Sequence, residues 1–222
     1  MNIKRLYELS EIVDKILQGD DVSTDINSLT NEIRNIIQPW KQGSIGIAQL
    51  NPIVGDIEYN SLKIMKYISY ATEIGLDIII FPELSIMGYP IEDTIDRHPV
   101  IVDENVKWLK EIAKLTTTTT AVVGFVEPRV YKNKTGKKYY NSLAILNNGS
   151  IQGIIRKSLL PNYSEFNDYR YIEPSPVVGN QPPSTLGVLD EDNVQNVPKT
   201  NIINGIKYGL SICEDCWNNK SF

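Results

Sequence analysis

The pattern of apolar positions changes near residue 43. Before it, two stretches carry apolar residues at near-helical spacing, and they are separated by Gly19-Asp20-Asp21 and followed by Pro39. Their apolar members are Leu6, Ile12, Val13, Ile16, Leu17, Ile26, Leu29, Ile33, Ile36 and Ile37. Because two such short helices bury too little apolar surface to fold alone, we predict a helical N-terminal extension over residues 1–43 that docks on a larger body.

From residue 44 onward, short apolar runs alternate with helical patterns. The runs predict strands at Ser44–Leu50, Leu76–Phe81, Thr119–Phe125, Asn141–Leu146, Ile151–Arg156 and Ile206–Ile212. Two helices are predicted between the first three strands, one capped by Asn60 and ending at Gly75, the other capped by Asp103. Asn148-Gly149 predicts a tight hairpin, and residues 174–204 predict a long excursion. This order indicates an α/β layered domain with a mixed sheet.

Composition and charge exclude several classes of partner. Of the 222 residues, 41% are apolar and 22% are charged, which is typical of a soluble globular protein. The net charge of −5, without a basic stripe, argues against binding to nucleic acid or to anionic membranes. We find no apolar run near 18 residues and no signal-peptide block. The sequence therefore predicts a cytoplasmic protein with no membrane partner.

Cysteine and histidine are scarce. Cys213 and Cys216 are the two cysteines and His98 is the one histidine, so the chain can form neither a disulfide framework nor a zinc site of four thiolates. We predict no metal site. The Cys-x-x-Cys spacing leaves a redox interpretation, or a metal site that is half built, open for this pair.

Three predicted strands are followed by residues with catalytic chemistry. Glu83 follows the strand Leu76–Phe81, Lys157 follows Ile151–Arg156, and Cys213 follows Ile206–Ile212. Ligands of open α/β sheets bind beyond the carboxyl ends of strands. A thiol needs a base before it attacks a carbonyl, and an ammonium stabilises the oxyanion that forms. Each residue alone also has a structural interpretation. Glu83 is then a residue near a helix cap, Lys157 a solvated hairpin end and Cys213 a small buried thiol.

Longer motifs around these residues carry a family resemblance. The segment 81–90 resembles the glutamate motif of the nitrilase, or carbon–nitrogen hydrolase, superfamily; Arg156-Lys157 resembles its lysine motif, and the segment 211–215 its cysteine motif. Within that superfamily the chain is most similar to the glutaminase domains of glutamine-dependent NAD synthetases. That narrower resemblance rests on four segments: 48–56, 88–93, 156–163 (with Phe166 and Arg170-Tyr171) and 212–217. It covers residues 44–222.

The resemblance implies a fold, a reaction and a partner. The fold is a four-layer αββα sandwich, and the activity is hydrolysis of glutamine through a cysteine thioester. Glu83 is then the general base, Cys213 the nucleophile and Lys157 the group that stabilises the tetrahedral intermediate. Residues that match the family's glutamine pocket are Tyr163, Phe166 and Glu214.

In such enzymes, a separate synthetase domain uses the released ammonia to amidate deamido-NAD. We expect that domain to be absent from residues 44–222, because no pyrophosphate-binding loop is found in the sequence. ATP and Mg²⁺ would belong to that domain, so we predict no cofactor in this chain. The resemblance also implies a homo-oligomer in the complete protein.

The sequence departs from the family pattern at several points. Asp168 stands where the family has a second glutamate that supports the lysine, and its side chain is one methylene shorter; Cys216 replaces a residue that is more often apolar. The family domain continues beyond residue 222, so we expect a truncated glutaminase domain that is poorly active alone. Two alternatives stay open: a stand-alone amidase acting on another small amide, and an inactive relic or binding module.

Overall fold

The computed structural model describes residues 15, 43–129, 136–164, 166–175, 180–181, 200–203 and 205–217. The chain divides into two units, Met1–Lys41 and Gln42–Phe222, and all described residues except Lys15 lie in the second. The prediction of two N-terminal helices falls outside the described residues, as does most of the predicted excursion at 174–204. In the described part, no helix is both long enough and apolar enough to cross a membrane.

The described part alternates strands and helices before it reaches a hairpin. In chain order the elements are β1 (Ile45–Ile47), α1 (Ile57–Glu73), β2 (Ile78–Ile80), α2 (Thr94–Arg97), α3 (Val100–Ala113), β3 (Thr120–Pro128), β4 (Tyr139–Asn147), β5 (Ser150–Arg156), α4 (Asp168–Tyr171), β6 (Asn180–Gln181), β7 (Thr200–Ile203), β8 (Ile206–Gly209) and a 3₁₀ helix (Cys213–Trp217).

Strands β1 to β6 form one six-stranded sheet in sequential order. The pairs β1–β2 and β2–β3 are parallel, with Ile45 opposite Ile78 and Ile78 opposite Thr120. The next three pairs are antiparallel, so the predicted mixed sheet is confirmed. Strands β7 and β8 form a separate antiparallel pair.

The two faces of the six-stranded sheet carry different packing layers. On one face lie the apolar sides of the long helices, with Ile64 and Ile68 of α1 and Leu109 of α3 fully buried. This is the larger core cluster. On the other face, Val122 and other sheet residues pack with Ile203 of β7, Tyr208 of β8 and the following Leu210 and Ile212. We call this second face of the sheet the inner face.

Both long helices begin earlier than the sequence predicts. Helix α1 is capped by Asp56, whose Oδ1 accepts a hydrogen bond from the Tyr59 backbone N–H at 3.2 Å. Asn60 was the predicted cap, but it is buried inside the helix and its side chain bonds the backbone of Ile53. Helix α3 begins at Val100, not at Asp103, because Pro99 already fixes a helical φ one residue before it.

The last predicted strand is also shorter than expected. Strand β8 ends at Gly209, and its partner β7 occupies part of the segment predicted as an excursion. Leu210 to Ile212 continue the apolar pattern without strand pairing, and Ile212 is buried in the inner-face core. The chain then turns sharply into the 3₁₀ helix at Cys213, whose φ is +42°.

Candidate active site

Glu83 lies in a loop that follows β2 and crosses closely over β3. A Cβ atom on Gly124 of β3 would lie 2.4 Å from the Leu84 nitrogen and 2.5 Å from the Pro82 oxygen. The Gly124 carbonyl in turn accepts a hydrogen bond from the Ile86 N–H at 3.2 Å. The absence of a side chain at Gly124 therefore allows the loop to hold Glu83 against the inner face of the sheet.

Lys157 is the first residue after β5 and is almost fully buried. Its Nζ donates to Glu83 Oε1 at 2.7 Å and to Asp168 Oδ2 at 2.7 Å. The interpretation of Lys157 as a solvated hairpin end is wrong, because the side chain is 1% exposed. Asp168 at the start of α4 reaches the lysine although its side chain is shorter than glutamate.

The Lys157 ammonium keeps its charge in this environment. Burial lowers its pKa, but the charges of Glu83 and Asp168 and their hydrogen bonds outweigh burial, so the pKa lies above the usual lysine value. An ammonium has three N–H donors, and two are used by these carboxylates. The third is available for a substrate oxygen.

Cys213 sits at the sharp turn that opens the 3₁₀ helix, and its side chain is exposed rather than buried in a core. Partial burial raises the pKa of the thiol and the charge of Glu83 raises it further, whereas the charge of Lys157 lowers it. The charges of Glu83 and Lys157 therefore act on the Cys213 thiol in opposite directions.

Asp215 joins the 3₁₀ helix to the segment that carries the lysine. Its Oδ1 accepts hydrogen bonds from the backbone N–H groups of Ser158 at 3.1 Å and Leu159 at 2.8 Å, and its side chain is buried. Cys216 lies on the same 3₁₀ helix, where its Sγ is 2.8 Å from Ser211 Oγ.

The three predicted substrate-binding residues lie next to one another. The Tyr163 hydroxyl donates to Glu214 Oε2 at 2.8 Å, and the Phe166 ring meets the Tyr163 ring edge-on with centroids 5.6 Å apart. Tyr89 extends the cluster, because its ring centroid is 6.2 Å from that of Phe166 and its hydroxyl donates to Asp168 Oδ1 at 3.0 Å. Burial and the charge of Asp168 raise the pKa of Tyr89.

Sequence reasoning assigned no role to three residues that the structure places at the site: Tyr89, Asn141 and Asp215. Tyr89 and Asp215 stand inside the quoted motifs, so the signal was present and unused. Asn141 has a weaker signal, since it is a polar residue at the start of an apolar run that predicts a strand. No group of three or more possible metal-ligating side chains occurs among the described residues.

The chain matches one enzyme family over most of its length. The carbon–nitrogen hydrolase family matches residues 44–221. The chain belongs to this family, and the predicted nitrilase-like α/β fold is confirmed.

Two curated relatives are similar to this chain over most of its length. The chain is 34% identical over 180 residues to the glutamine-dependent NAD(+) synthetase of Thermotoga maritima, covering 80% of this chain and 26% of that protein. It is 36% identical over 174 residues to the corresponding protein of Aquifex aeolicus, covering 78% of this chain and 26% of that one. The chain thus spans about a quarter of the length of these curated relatives. The predicted resemblance to these enzymes is confirmed.

Two solved structures superpose on this chain. Glutamine-dependent NAD+ synthetase from Acinetobacter baumannii superposes with a TM-score of 0.59 at 28% identity, covering 80% of this chain and 28% of that one. An amidase from Nesterenkonia sp. superposes with a TM-score of 0.55 at 18% identity, covering 78% of this chain and 57% of that one. The second likeness concerns the fold alone.

Proposed function

We propose that this chain hydrolyses the side-chain amide of L-glutamine, with Cys213 as the nucleophile. The observation that carries the proposal is the Lys157 ammonium, whose Nζ lies 2.7 Å from Glu83 Oε1 and 2.7 Å from Asp168 Oδ2. The charges of Glu83 and Lys157 both act on the pKa of the Cys213 thiol. The glutamine dependence of the named relatives supports the choice of substrate.

The first half of the reaction forms a thioester. Glu83 takes the proton of the Cys213 thiol as the sulfur attacks the amide carbonyl carbon. The carbonyl oxygen becomes an oxyanion beside the free N–H of Lys157, which stabilises it. Glu83 then gives the proton to the amide nitrogen, the carbon–nitrogen bond breaks, and ammonia leaves.

The second half releases glutamate. A water molecule loses a proton to Glu83 and attacks the thioester carbonyl, and Lys157 again stabilises the oxyanion. The carbon–sulfur bond breaks, and the proton on Glu83 returns to the Cys213 sulfur. The sum is glutamine plus water giving glutamate plus ammonia, with the enzyme restored.

The aromatic and acidic residues next to this centre suit an amino acid. The Glu214 carboxylate provides a charge for the α-ammonium group of glutamine, and the rings of Tyr163 and Phe166 provide walls for its methylene chain. Their mutual contacts hold all three in place. We therefore assign Tyr163, Phe166 and Glu214 to the substrate pocket.

We assign the ammonia to a synthetase domain that amidates deamido-NAD, as the resemblance implies. ATP and Mg²⁺ serve that domain, and no step of glutamine hydrolysis described above is routed through them. The partner of this chain is then the synthetase domain, and glutamine is its small-molecule substrate.

The chain is expected to be poorly active alone, so the proposal is tested by slow release of glutamate and ammonia from L-glutamine by the purified chain at high concentration, together with intact-mass detection of a glutamyl adduct on Cys213. Cys213→Ala is expected to abolish both signals, whereas the matched control Cys216→Ala keeps most of the activity, because Cys216 bonds Ser211 and no residue of the proposed chemistry. Equal losses in the two variants would indicate a paired-thiol mechanism.

The same assay separates the competing functions. Acetamide or propionamide hydrolysed faster than L-glutamine would support a stand-alone amidase instead. A chain that forms no acyl adduct with any of these amides would be an inactive relic or a binding module.

A further inference from the structure

Asn141 of β4 is a buried residue to which neither the sequence motifs nor the comparisons assign a role. We propose that Asn141 is a positioning residue for Glu83, which fixes the carboxylate so that its Oε2 atom faces the Cys213 proton. The inference rests on the proposed function, in which Glu83 is the base.

The strand register brings Asn141 beside the lysine. Its backbone carbonyl accepts a hydrogen bond from the Lys157 N–H at 2.8 Å, next to the paired residues Ser142 and Arg156. Asn141 and Lys157 therefore leave adjacent strands on the same inner face, since side chains alternate along a strand. Both side chains are 1% exposed.

The two side chains converge on the same oxygen atom. Asn141 Nδ2 donates to Glu83 Oε1 at 2.6 Å, and Lys157 Nζ donates to that oxygen at 2.7 Å. A carboxylate oxygen offers about two lone-pair positions, so these donors occupy Oε1. Oε2 is the oxygen that remains for a proton from the thiol.

Other buried asparagines in the described part bond differently. Asn105 uses both ends of its amide on the backbone of Val126, and Asn60 uses both ends on the backbone of Ile53. Asn141 instead donates to a side chain of the site, and its Oδ1 has no hydrogen-bond partner among the described residues. Its amide is thus directed at Glu83 and is not shared with a structural backbone contact.

The rate at which the diazoketone analogue of L-glutamine labels Cys213, followed by intact mass, tests this inference. In that reaction the thiol proton moves to the diazo carbon, dinitrogen leaves, and a carbon–sulfur bond forms. Labelling therefore requires proton transfer from Cys213 but no water and no turnover. If Asn141 positions Glu83, Asn141→Ala slows labelling about tenfold or more, because a misplaced base loses rates of this order.

Asn147→Ala is the matched control. Asn147 lies in the same strand and donates its Nδ2 to Thr120 Oγ1 at 2.8 Å, away from Glu83, so its labelling rate is expected to equal that of wild type. Asn141→Leu keeps the approximate shape of the side chain and serves as the second variant if Asn141→Ala fails to fold. Its apolar side chain cannot donate to Oε1, so it too is expected to label slowly.

The outcomes separate the inference from the proposed function. Slow labelling in Glu83→Gln and in a folded Asn141 variant, with an unchanged melting temperature in that variant, supports the inference. Slow labelling in Glu83→Gln with wild-type rates in folded Asn141 variants overturns the inference and leaves the proposed function standing. A wild-type chain that the analogue does not label overturns the proposed function and the inference with it.

A second readout excludes a role in stability alone. In glutamine hydrolysis, Asn141→Ala is expected to lower kcat about tenfold or more and to change KM less than about threefold, because Asn141 touches the base and not the proposed substrate pocket. A variant that loses melting temperature but keeps wild-type kcat would show a structural role and overturn the inference.

Discussion

The Lys157 ammonium and the Asp168 carboxylate form a buried ion pair, with Nζ and Oδ2 2.7 Å apart. Asp168 is the first residue of the short helix α4, and this position brings its side chain to the lysine. The last residue of α4, Tyr171, anchors the helix because its hydroxyl donates a hydrogen bond to Asp93. The second oxygen of Asp168 accepts from Tyr89. The position of α4, held by Tyr171, and the hydrogen bond from Tyr89 thus bring the aspartate carboxylate to the place that the longer side chain of a glutamate would reach.

Asp168→Asn is expected to weaken both catalysis and folding. The variant keeps the shape but removes the charge, so the buried ammonium loses one of its two anionic partners. We expect kcat for glutamine to fall about 10- to 100-fold and the free energy of unfolding in urea to fall by about 1–3 kcal/mol. Asp168→Glu retains the charge and serves as the control, with a smaller loss of kcat. Wild-type kcat in Asp168→Asn would exclude a role for this ion pair.

Glu83→Gln is expected to make the Cys213 thiol more acidic while it abolishes hydrolysis. Burial raises the pKa of the thiol and the Glu83 charge adds to that rise, whereas Lys157 opposes it. Removing the Glu83 charge therefore lowers the pKa, and alkylation of Cys213 by iodoacetamide begins at a lower pH. The measurement is the pH dependence of alkylation, followed at the Cys213 peptide by mass spectrometry.

Glu111→Gln is the control for the thiol titration. Glu111 is an exposed glutamate that pairs with Lys114 on the helical face of the domain, so its variant is expected to leave alkylation and hydrolysis unchanged. An alkylation midpoint in Glu83→Gln at or above the wild-type pH would contradict the electrostatic contact between Glu83 and Cys213.

Most strands of the sheet could be predicted because a strand and its turn are encoded by neighbouring residues: a short apolar run followed by turn-forming residues. The β4–β5 hairpin follows from two apolar runs around Asn148-Gly149, and its strands have nearly the predicted bounds. The predicted start of α1 was wrong because both Asp56 and Asn60 are residue types that can cap a helix. Asp56 caps α1, whereas Asn60 is taken up by a contact with Ile53 that no local pattern shows.

The site residues also divide into those that local sequence predicts and those that depend on contacts between distant segments. Glu83 and Lys157 could be predicted because each follows a strand closely along the chain. Asn141 could not, because its contact with Glu83 depends on a loop from β2 that crosses β3. Residues that act across strands need the register and the loop path, and neither is visible in a single sequence.

Gly124→Ala is expected to displace the loop that carries Glu83. The new Cβ would lie 2.4 Å from the Leu84 nitrogen, and backbone atoms cannot move aside as the end of a flexible side chain can. We expect a loss of about 1–3 kcal/mol in unfolding free energy and a fall of about 100-fold in glutamine hydrolysis. Gly209→Ala in β8 is the control, because its Cβ would meet nothing within 4 Å. Equal kcat values in the two variants would show that the close approach is not needed.

Asp215→Asn is expected to separate the nucleophile from the lysine. Asp215 is buried and accepts the N–H groups of Ser158 and Leu159, directly after Lys157, while it belongs to the 3₁₀ helix that begins at Cys213. A neutral amide weakens these charge-assisted hydrogen bonds. We expect a loss of about 1–3 kcal/mol in unfolding free energy and a fall in kcat of about 100-fold, because small misplacements of a nucleophile have effects of this size.

The control for Asp215 is another aspartate that accepts a backbone N–H group outside the site. Asp56 caps α1 through Tyr59, and Asp56→Ala is expected to lower the unfolding free energy by about 1 kcal/mol without changing kcat. Urea denaturation and glutamine hydrolysis are measured for both variants. If Asp215→Asn lost stability like Asp56→Ala but kept wild-type kcat, the distance between Cys213 and Lys157 would not depend on Asp215. A selective loss of kcat in Asp215→Asn would show that this carboxylate sets the geometry in which the thiol and the ammonium meet one amide.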